Sequence, residues 1–265
     1  MLKSQRQVEI LNILKSEDFI TVSDLAERLY ASQPTVRRDL SALESEGYVR
    51  RCHGGAMLNA QDTRPPIYFR REKNAKEKAR MCAVAAELIS DGDVIFVDAS
   101  STVFHLADHI SRKSGITVIT NGHFTAERFA EQGATVYSTG GKLIMESMVY
   151  AGTMAERTVE SYNADIMFYS VASLSEEGVL SDWSDEERSV RVVMSRNARK
   201  RVFMCDSTKF GKSSAFKLFG LSSNDYIVTD APLPDDLVSA FALDSVTTEP
   251  AYLYALPKRE KKSNK

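Results

Sequence analysis

Apolar residues along this chain of 265 residues keep two successive rhythms. Over the first 57 the rhythm is helical. Val8, Ile10, Leu11 and Leu14 make the apolar set of an amphipathic helix predicted over residues 4–16. Ile20-Thr21-Val22 leads into a second helix, Ser23 to Leu29, with Leu25, Ala26 and Leu29 on one face. After a tight Tyr30-Ala31 turn, Val36, Leu40 and Leu43 recur at i, i+4, i+7 and predict a third helix over 33–46. Ser32 can accept from the open amides of its first turn, and Pro34 sits where a missing N–H costs nothing. Gly47 is the expected positive-φ residue that ends this helix. Tyr48-Val49-Arg50-Arg51 then alternates as a strand before a His53-Gly54-Gly55 turn.

From Asn74 the rhythm changes to short apolar runs separated by helix-length segments. The runs are 93–97, 116–121, 134–138, 165–171, 201–206 and 226–230. The intervening helices are expected over 75–89 (Met81, Val84, Ala85 and Leu88 inward), 102–110, 123–133, the segment after Gly152, and 185–198, with 234–243 as a closing helix. Strands alternating with helices imply a largely parallel sheet covered on both faces. The fold class is therefore α/β, with an N-terminal winged helix-turn-helix ahead of a larger α/β domain. Pro65-Pro66 cannot sit inside a helix. The expected division is a reader over 1–57, a basic linker over 58–73, an α/β domain over 74–250 and a basic tail over 251–265.

Helix, turn, helix and basic wing place the start of the second helix of the motif against base edges. Arginine can bridge guanine, glutamine adenine, and the threonine methyl can touch thymine. Candidate contacts to double-stranded operator DNA are Ser32, Gln33, Thr35, Arg37 and Arg38, with Arg51 and His53 from the wing. The formal net charge of −2 means that affinity for phosphates has to come from local patches. Arg28, Arg37, Arg38, Arg50 and Arg51 stand against Asp39, Glu44 and Glu46. Seven basic residues between 64 and 80 stand against Glu72 and Glu77.

Cys52, Cys82 and Cys205 have no C-x-x-C spacing, and the four histidines show no metal spacing, so no disulfide framework, metal or cofactor is expected. No apolar run approaches the length of a membrane span, and no export signal is visible, so a cytoplasmic protein is expected.

In parallel sheets ligands bind at the carboxyl ends of strands. Three such ends carry small polar residues: Asp98 with Ser100, Ser101 and Thr102; Thr120 with Asn121; and Gly140 with Gly141. Lys209 is a further candidate, as a point charge for a phosphate. Together they predict a site for a small polar ligand.

The stretch TVSDLAERLYASQPTVRRDLSALESEGYVRRCHGGA, residues 21–56, resembles the signature of the DeoR-type bacterial transcriptional regulators, above all in its Thr-Val-Arg-Arg-Asp-Leu core and closing His-Gly-Gly-Ala. Residues 74–232 resemble that family's sensor domain, whose fold is similar to ribose-5-phosphate isomerase and coenzyme A transferases. The matching positions are Asp98 to Thr102, Thr120-Asn121, Gly140-Gly141, Gly152, Asp182 with Glu187, and Asp206 to Gly211. The chain departs from the family at Ala99 or Ser100, where the family's first turn has glycine, and at Tyr169 to Ser173, where its glycines are replaced by bulkier residues. The resemblance implies a repressor of carbohydrate or related metabolic genes, acting as a dimer or tetramer. A small phosphorylated metabolite, a sugar phosphate or a relative, would release it from DNA. A competing reading is a sugar-phosphate isomerase using Asp182, Glu186 or Glu187 with Lys209; the DNA-reading module has no purpose in it. Trp183 either stacks on a sugar face or packs.

Overall fold

The computed structural model describes residues 3–17, 19–45, 48–58, 67–221 and 225–257. The chain divides into two compact units, Met1–Glu72 and Lys73–Lys265.

The first unit runs α1 (Lys3–Ser16), β1 (Ile20–Thr21), α2 (Val22–Arg28), α3 (Gln33–Ser45), β2 (Val49–Cys52), β3 (Gly55–Leu58) and α4 (Ile67–Glu72). Thr21 caps α2 by accepting from the Asp24 amide at 3.1 Å. Tyr30 makes the turn at φ 49°, and Ser32 Oγ accepts from the Thr35 amide at the head of α3. Val36, Leu40 and Leu43 bury completely against Leu25 and Ile10. The wing is the antiparallel hairpin β2–β3, with β1 added to give the order β1-β3-β2. Gly55 is required there, because a Cβ would stand 2.2 Å from the Ile20 carbonyl oxygen.

One charge is turned inward. Asp39, 1% exposed on α3, pairs with Arg6 of α1. Arg6→Ala would strand that carboxylate, and is expected to destabilise the reader by about 3 kcal/mol. Thermal unfolding of the wild-type and variant proteins measures this. Part of the expected linker is helical: α4 lies inside it, belongs to the first unit and buries Ile67. Gly47 and Pro65-Pro66 lie outside the described residues.

The second unit centres on an eight-stranded sheet of order β15-β16-β14-β12-β9-β4-β5-β6. These strands are β4 (Val94–Val97), β5 (Thr117–Thr120), β6 (Thr135–Ser138), β9 (Ala164–Tyr169), β12 (Ala198–Cys205), β14 (Asp225–Thr229), β15 (Asp244–Thr247) and β16 (Tyr252–Ala255). The six from β6 to β14 are parallel, and β16 and β15 are antiparallel additions. Alternate residues feed two cores. Ile95, Val97, Val118 and Phe168 pack on one face, Phe96, Ile119, Met167 and Phe203 on the other. Both faces are covered, so the strands read as apolar runs without polar alternation. α5 (Ala75–Ala86) contributes to the first core. α7 (Thr153–Glu160), α8 (Asp185–Arg196) and α9 (Asp235–Ala240) contribute to the second. α6 (His123–Glu131) follows β5 and packs on β5 and β6.

The helix expected over 102–110 is a 3-10 helix, Val103–His109. Two expectations need correction. α9 is not the closing element, since β15 and β16 follow it. β16 falls within the expected tail 251–265, yet Leu253 and Tyr254 are buried in the sheet and Leu256 is buried just beyond it. The second unit therefore runs past residue 250; residues 258–265 lie outside the described ones. Two small additions had no signal in the pattern: the hairpin β7 (Lys142–Ile144) and β8 (Val149–Ala151), and the three-stranded sheet β10 (Ser173–Leu174), β11 (Leu180–Asp182) and β13 (Phe216–Lys217).

Candidate functional site

In the first unit, Gln33, Arg37 and Arg38 are exposed on α3 and Ser32 just ahead of it, with Thr35 half-buried beside them. Ser32 Oγ lies 2.9 Å from Thr35 Oγ1, so these two hydroxyls share one hydrogen bond at the head of the helix. Among the described residues, Arg37 and Arg38 have no hydrogen-bond or ion-pair partner. Arg51 is different. Its guanidinium donates to Ser41 Oγ at 2.6 Å and its amide to Glu44 Oε1 at 2.9 Å, which fastens the wing to α3. His53 is exposed at the wing tip, next to Gly54 at φ 79°.

In the second unit, the strand ends of β4, β5 and β6 stand side by side. Asp98 is fully buried after β4 and has entirely internal partners. It accepts from the Ser100 and Ser170 amides at 3.0 and 3.3 Å and from Arg191 Nε at 2.7 Å. Arg191, 2% exposed on α8, also donates to Asp182 at 2.6 Å and to Glu187 at 3.3 Å. Burial works against the guanidinium charge, but Asp182, Asp98 and Glu187 together outweigh it and hold the group well above its ordinary pKa. Asp98 thus shapes the turn that follows it, and Asp182 and Glu187 are held by the same cation.

Within that turn Ser100 Oγ accepts from the Val103 amide, and Ser101 Oγ accepts from Lys78 Nζ at 3.3 Å. Lys78 is 4% exposed on α5. Thr102 is fully buried and its hydroxyl has no hydrogen-bond partner among the described residues. At the end of β5, Thr120 Oγ1 accepts from the Gly122 amide at 3.0 Å. Asn121 donates through Nδ2 to the Tyr150 carbonyl, while its Oδ1 is buried without a partner among the described residues. The two turns touch, since a Cβ on Gly122 would stand 3.0 Å from Ala99 Cα. Gly140 and Gly141 both have positive φ, and a Cβ on Gly141 would meet the Ala151 carbonyl oxygen at 2.7 Å. That pair folds the β7–β8 hairpin back over the strand ends.

Lys209 Nζ donates to Ser170 Oγ at 2.9 Å and lies 3.9 Å from Asp206. Burial pushes the Asp206 carboxyl up, yet Lys209 and the Thr208 hydroxyl outweigh it and hold it below the usual carboxylate range. Trp183, 46% exposed, follows Asp182 directly and donates its amide to that carboxylate. Burial pushes the Cys205 thiol to about 12 and the Cys82 thiol higher still, so neither is a thiolate at neutral pH. Among the described residues no His, Cys, Asp and Glu group could hold a metal ion, and no helix is long and apolar enough to cross a membrane.

Lys78, Ser170 and Arg191 were not among the predicted site residues. Two of them carry a readable signal. Lys78 falls on the same stripe as Met81, Cys82 and Ala85, and Arg191 on that of Val190 and Met194. A charge on the apolar stripe of a helix marks a buried partner.

Comparison with known proteins gives a consistent picture. Residues 6–62 match the DeoR-like helix-turn-helix domain and residues 73–231 the DeoR C terminal sensor domain. The HTH-type transcriptional regulator GolR of Listeria innocua is 31% identical, covering 91% of this chain and 96% of its own. The HTH-type transcriptional repressor GlcR of Bacillus subtilis is 32% identical, covering 94% and 98%. The transcriptional repressor AccR of Agrobacterium fabrum is 31% identical, covering 85% and 89%. Ribose 5-phosphate isomerase A from Methanocaldococcus jannaschii is similar in structure over 52% of this chain and 55% of its own, with a TM-score of 0.39 at 17% identity, too slight a likeness to bear on function.

Proposed function

The chain belongs to the DeoR family of DNA-binding transcriptional regulators, and from that premise we propose that it is a repressor released from its operator by a small phosphorylated metabolite. The observation that carries the effector half is the turn after β4. A buried ammonium, Lys78, rests on the Ser101 hydroxyl beside the unpartnered Thr102 hydroxyl. A cation held out of water next to open hydroxyl donors is chemistry for an anion. Asn121 and the Gly140-Gly141 turn would complete the pocket, and Lys209 would supply a second charge by leaving Ser170. A sugar phosphate fits this lining best, because the neighbouring polar groups are hydroxyls and amides.

The DNA half rests on α3. Arg37 and Arg38, exposed and without partners among the described residues, would enter the major groove with Gln33 and Thr35, while Arg51 and His53 follow the backbone from the wing. The repressor sense is supported by GlcR and AccR, which are named as repressors. A homo-oligomer would pair two readers on two half-sites. Turnover is the weaker reading. Asp98, Asp182 and Glu187 are all bound to Arg191, and Glu186 pairs with Lys142, so none of these carboxylates is poised as a base.

The metabolite must prefer the conformation that binds DNA poorly, since equal affinity for both shifts nothing. The test is binding of the purified protein to DNA from upstream of its own gene, with and without a panel of sugar phosphates. One member of the panel is expected to abolish the complex. In the double variant Ser101→Ala, Thr102→Ala that metabolite should leave the complex in place; a normal release would move the pocket away from the turn. Binding insensitive to every phosphate ester would refute the phosphorylated-effector reading.

A further inference from the structure

The eight-stranded sheet ends in β15 on one side and β6 on the other, and the two edges are built differently. β15 carries Asp244, and its register on β16 shifts between Ser245 and Thr247. A charge and a bulge are devices that keep an open strand from pairing with another chain. β6 has neither. Residues 132–141, which include the whole strand, contain no charged residue and no proline, and the register on β5 is continuous from Thr135 to Ser138. Among the described residues no strand pairs with the outer side of β6, and Thr135, Tyr137 and Ser138 are exposed.

The inner hydrogen bonds show which backbone groups face out. The Thr135 and Thr139 amides donate to the Ile116 and Thr120 carbonyls, both at 3.0 Å. Backbone groups alternate between the two sides of a strand, so those of Val136 and Ser138 point away from β5. Tyr137 stands next to Ile119 in the register; Ile119 is completely buried, yet Tyr137 is 46% exposed. α7 lies over the same face. Thr158 Oγ1 donates to the Thr139 carbonyl at 2.9 Å, and the Tyr162 ring just beyond the helix is centred 5.5 Å from that of Tyr137. Met154, one turn before Thr158, is 72% exposed. An open tyrosine and an open methionine thus flank an edge strand that nothing guards.

We infer that β6 pairs antiparallel with the β6 of a second copy of this chain, about a twofold axis through Tyr137. The inference rests on the homo-oligomer proposed above and assigns it a surface. Charge selects the occupant. A charge near such an axis would meet its own copy, and β6 has none. The axis also sets α7 antiparallel to its copy. Arg157 and Glu160, exposed one turn apart on that helix, then each face the opposite sign across the interface. In this register Val136 of each strand exchanges amide-to-carbonyl hydrogen bonds with Ser138 of the other. The two Tyr137 rings meet as a cross-strand aromatic pair, and the sheet continues from one subunit into the next.

The test is sedimentation equilibrium of the full-length protein. Wild type is expected to sediment as a dimer or a higher even oligomer. Tyr137→Lys sets two ammonium groups face to face, and Ser138→Pro removes an outward amide where an edge strand tolerates proline. Each variant is expected to sediment at half the wild-type mass with an unchanged far-ultraviolet circular dichroism spectrum. A covalent trap gives a positive signal that misfolding cannot imitate. Opposed residues on the axis have Cα atoms about 4.5 Å apart, within the span of a disulfide. Tyr137→Cys in a Cys52→Ser background, where the remaining Cys82 and Cys205 are buried, should therefore form a covalent dimer in oxidised glutathione. Val246→Cys on β15 in the same background should not. Wild-type mass in both Tyr137→Lys and Ser138→Pro, no covalent dimer from Tyr137→Cys, or an equal yield from Val246→Cys would overturn the inference and leave the homo-oligomer to another surface. A wild type that sediments at the mass of one chain would overturn both.

Discussion

Arg191→Met is expected to bring the second unit close to unfolding. The side chain is 2% exposed and holds Asp98, Asp182 and Glu187, themselves all but fully buried. Removing one partner of a buried ion pair costs about 3–5 kcal/mol, because the remaining charge is left without water or counter-charge. Here three carboxylates are stranded at once. A domain of this size has about 5–15 kcal/mol of total stability, so the loss consumes most of it. The cause is the stranded charge, and two further variants isolate it. Arg191→Lys keeps a cation but lacks the planar fork that reaches three carboxylates, and should fall between wild type and Arg191→Met. Adding Asp98→Asn, Asp182→Asn and Glu187→Gln to Arg191→Met should recover part of the lost stability. Urea unfolding followed by the fluorescence of Trp183, the single tryptophan, reads all of them. A loss of less than about 1 kcal/mol in Arg191→Met would show that the carboxylates find another counter-charge.

The same cluster shows where sequence reading stops. Arg191 is bound to Asp98, 93 positions away, by a contact that exists only once α8 has packed on β9 and β12. Residue type puts an arginine outside, and only its place on the stripe with Val190 and Met194 hints otherwise. Lys78 was passed over for the same reason. The reader was legible because its determinants are local. The Ser32 cap, the spacing of Val36, Leu40 and Leu43, and the wing glycines each act within a few residues. The parallel strands were legible as apolar runs. β15 and β16 were not: three of the four residues of β15 are exposed, and β16 follows Pro250 and adjoins the basic tail, so neither showed a strand pattern. The turns after β4, β5 and β6 were readable as strand ends rich in small and polar residues, and Asp98 holds its own turn together through the Ser100 and Ser170 amides and Arg191.

Arg37→Ala and Arg38→Ala are expected to lower operator affinity by about 1–3 kcal/mol each, roughly five- to 150-fold, while leaving stability unchanged. Both side chains are exposed on α3 and have no internal partner among the described residues, so their removal breaks nothing in the free protein. This separates them from Arg51, whose guanidinium and amide tie the wing to Ser41 and Glu44, so that Arg51→Ala would disturb the wing as well as any DNA contact. It also separates them from Arg6, whose loss acts through buried Asp39. Salt dependence distinguishes two kinds of contact. An arginine on phosphate weakens all sequences alike and takes about one unit from the slope of log affinity against log salt, whereas one bridging a guanine relaxes specificity at a single position. Arg37 and Arg38 are adjacent on the helix and differ by about 100° around its axis, so they should divide these roles: one variant loses discrimination between operator and a point-mutated site, the other loses salt dependence. Fluorescence anisotropy at three salt concentrations on both DNAs measures this. Wild-type affinity in both variants at low salt would mean that α3 does not enter the groove, and would shift the DNA contact to the wing.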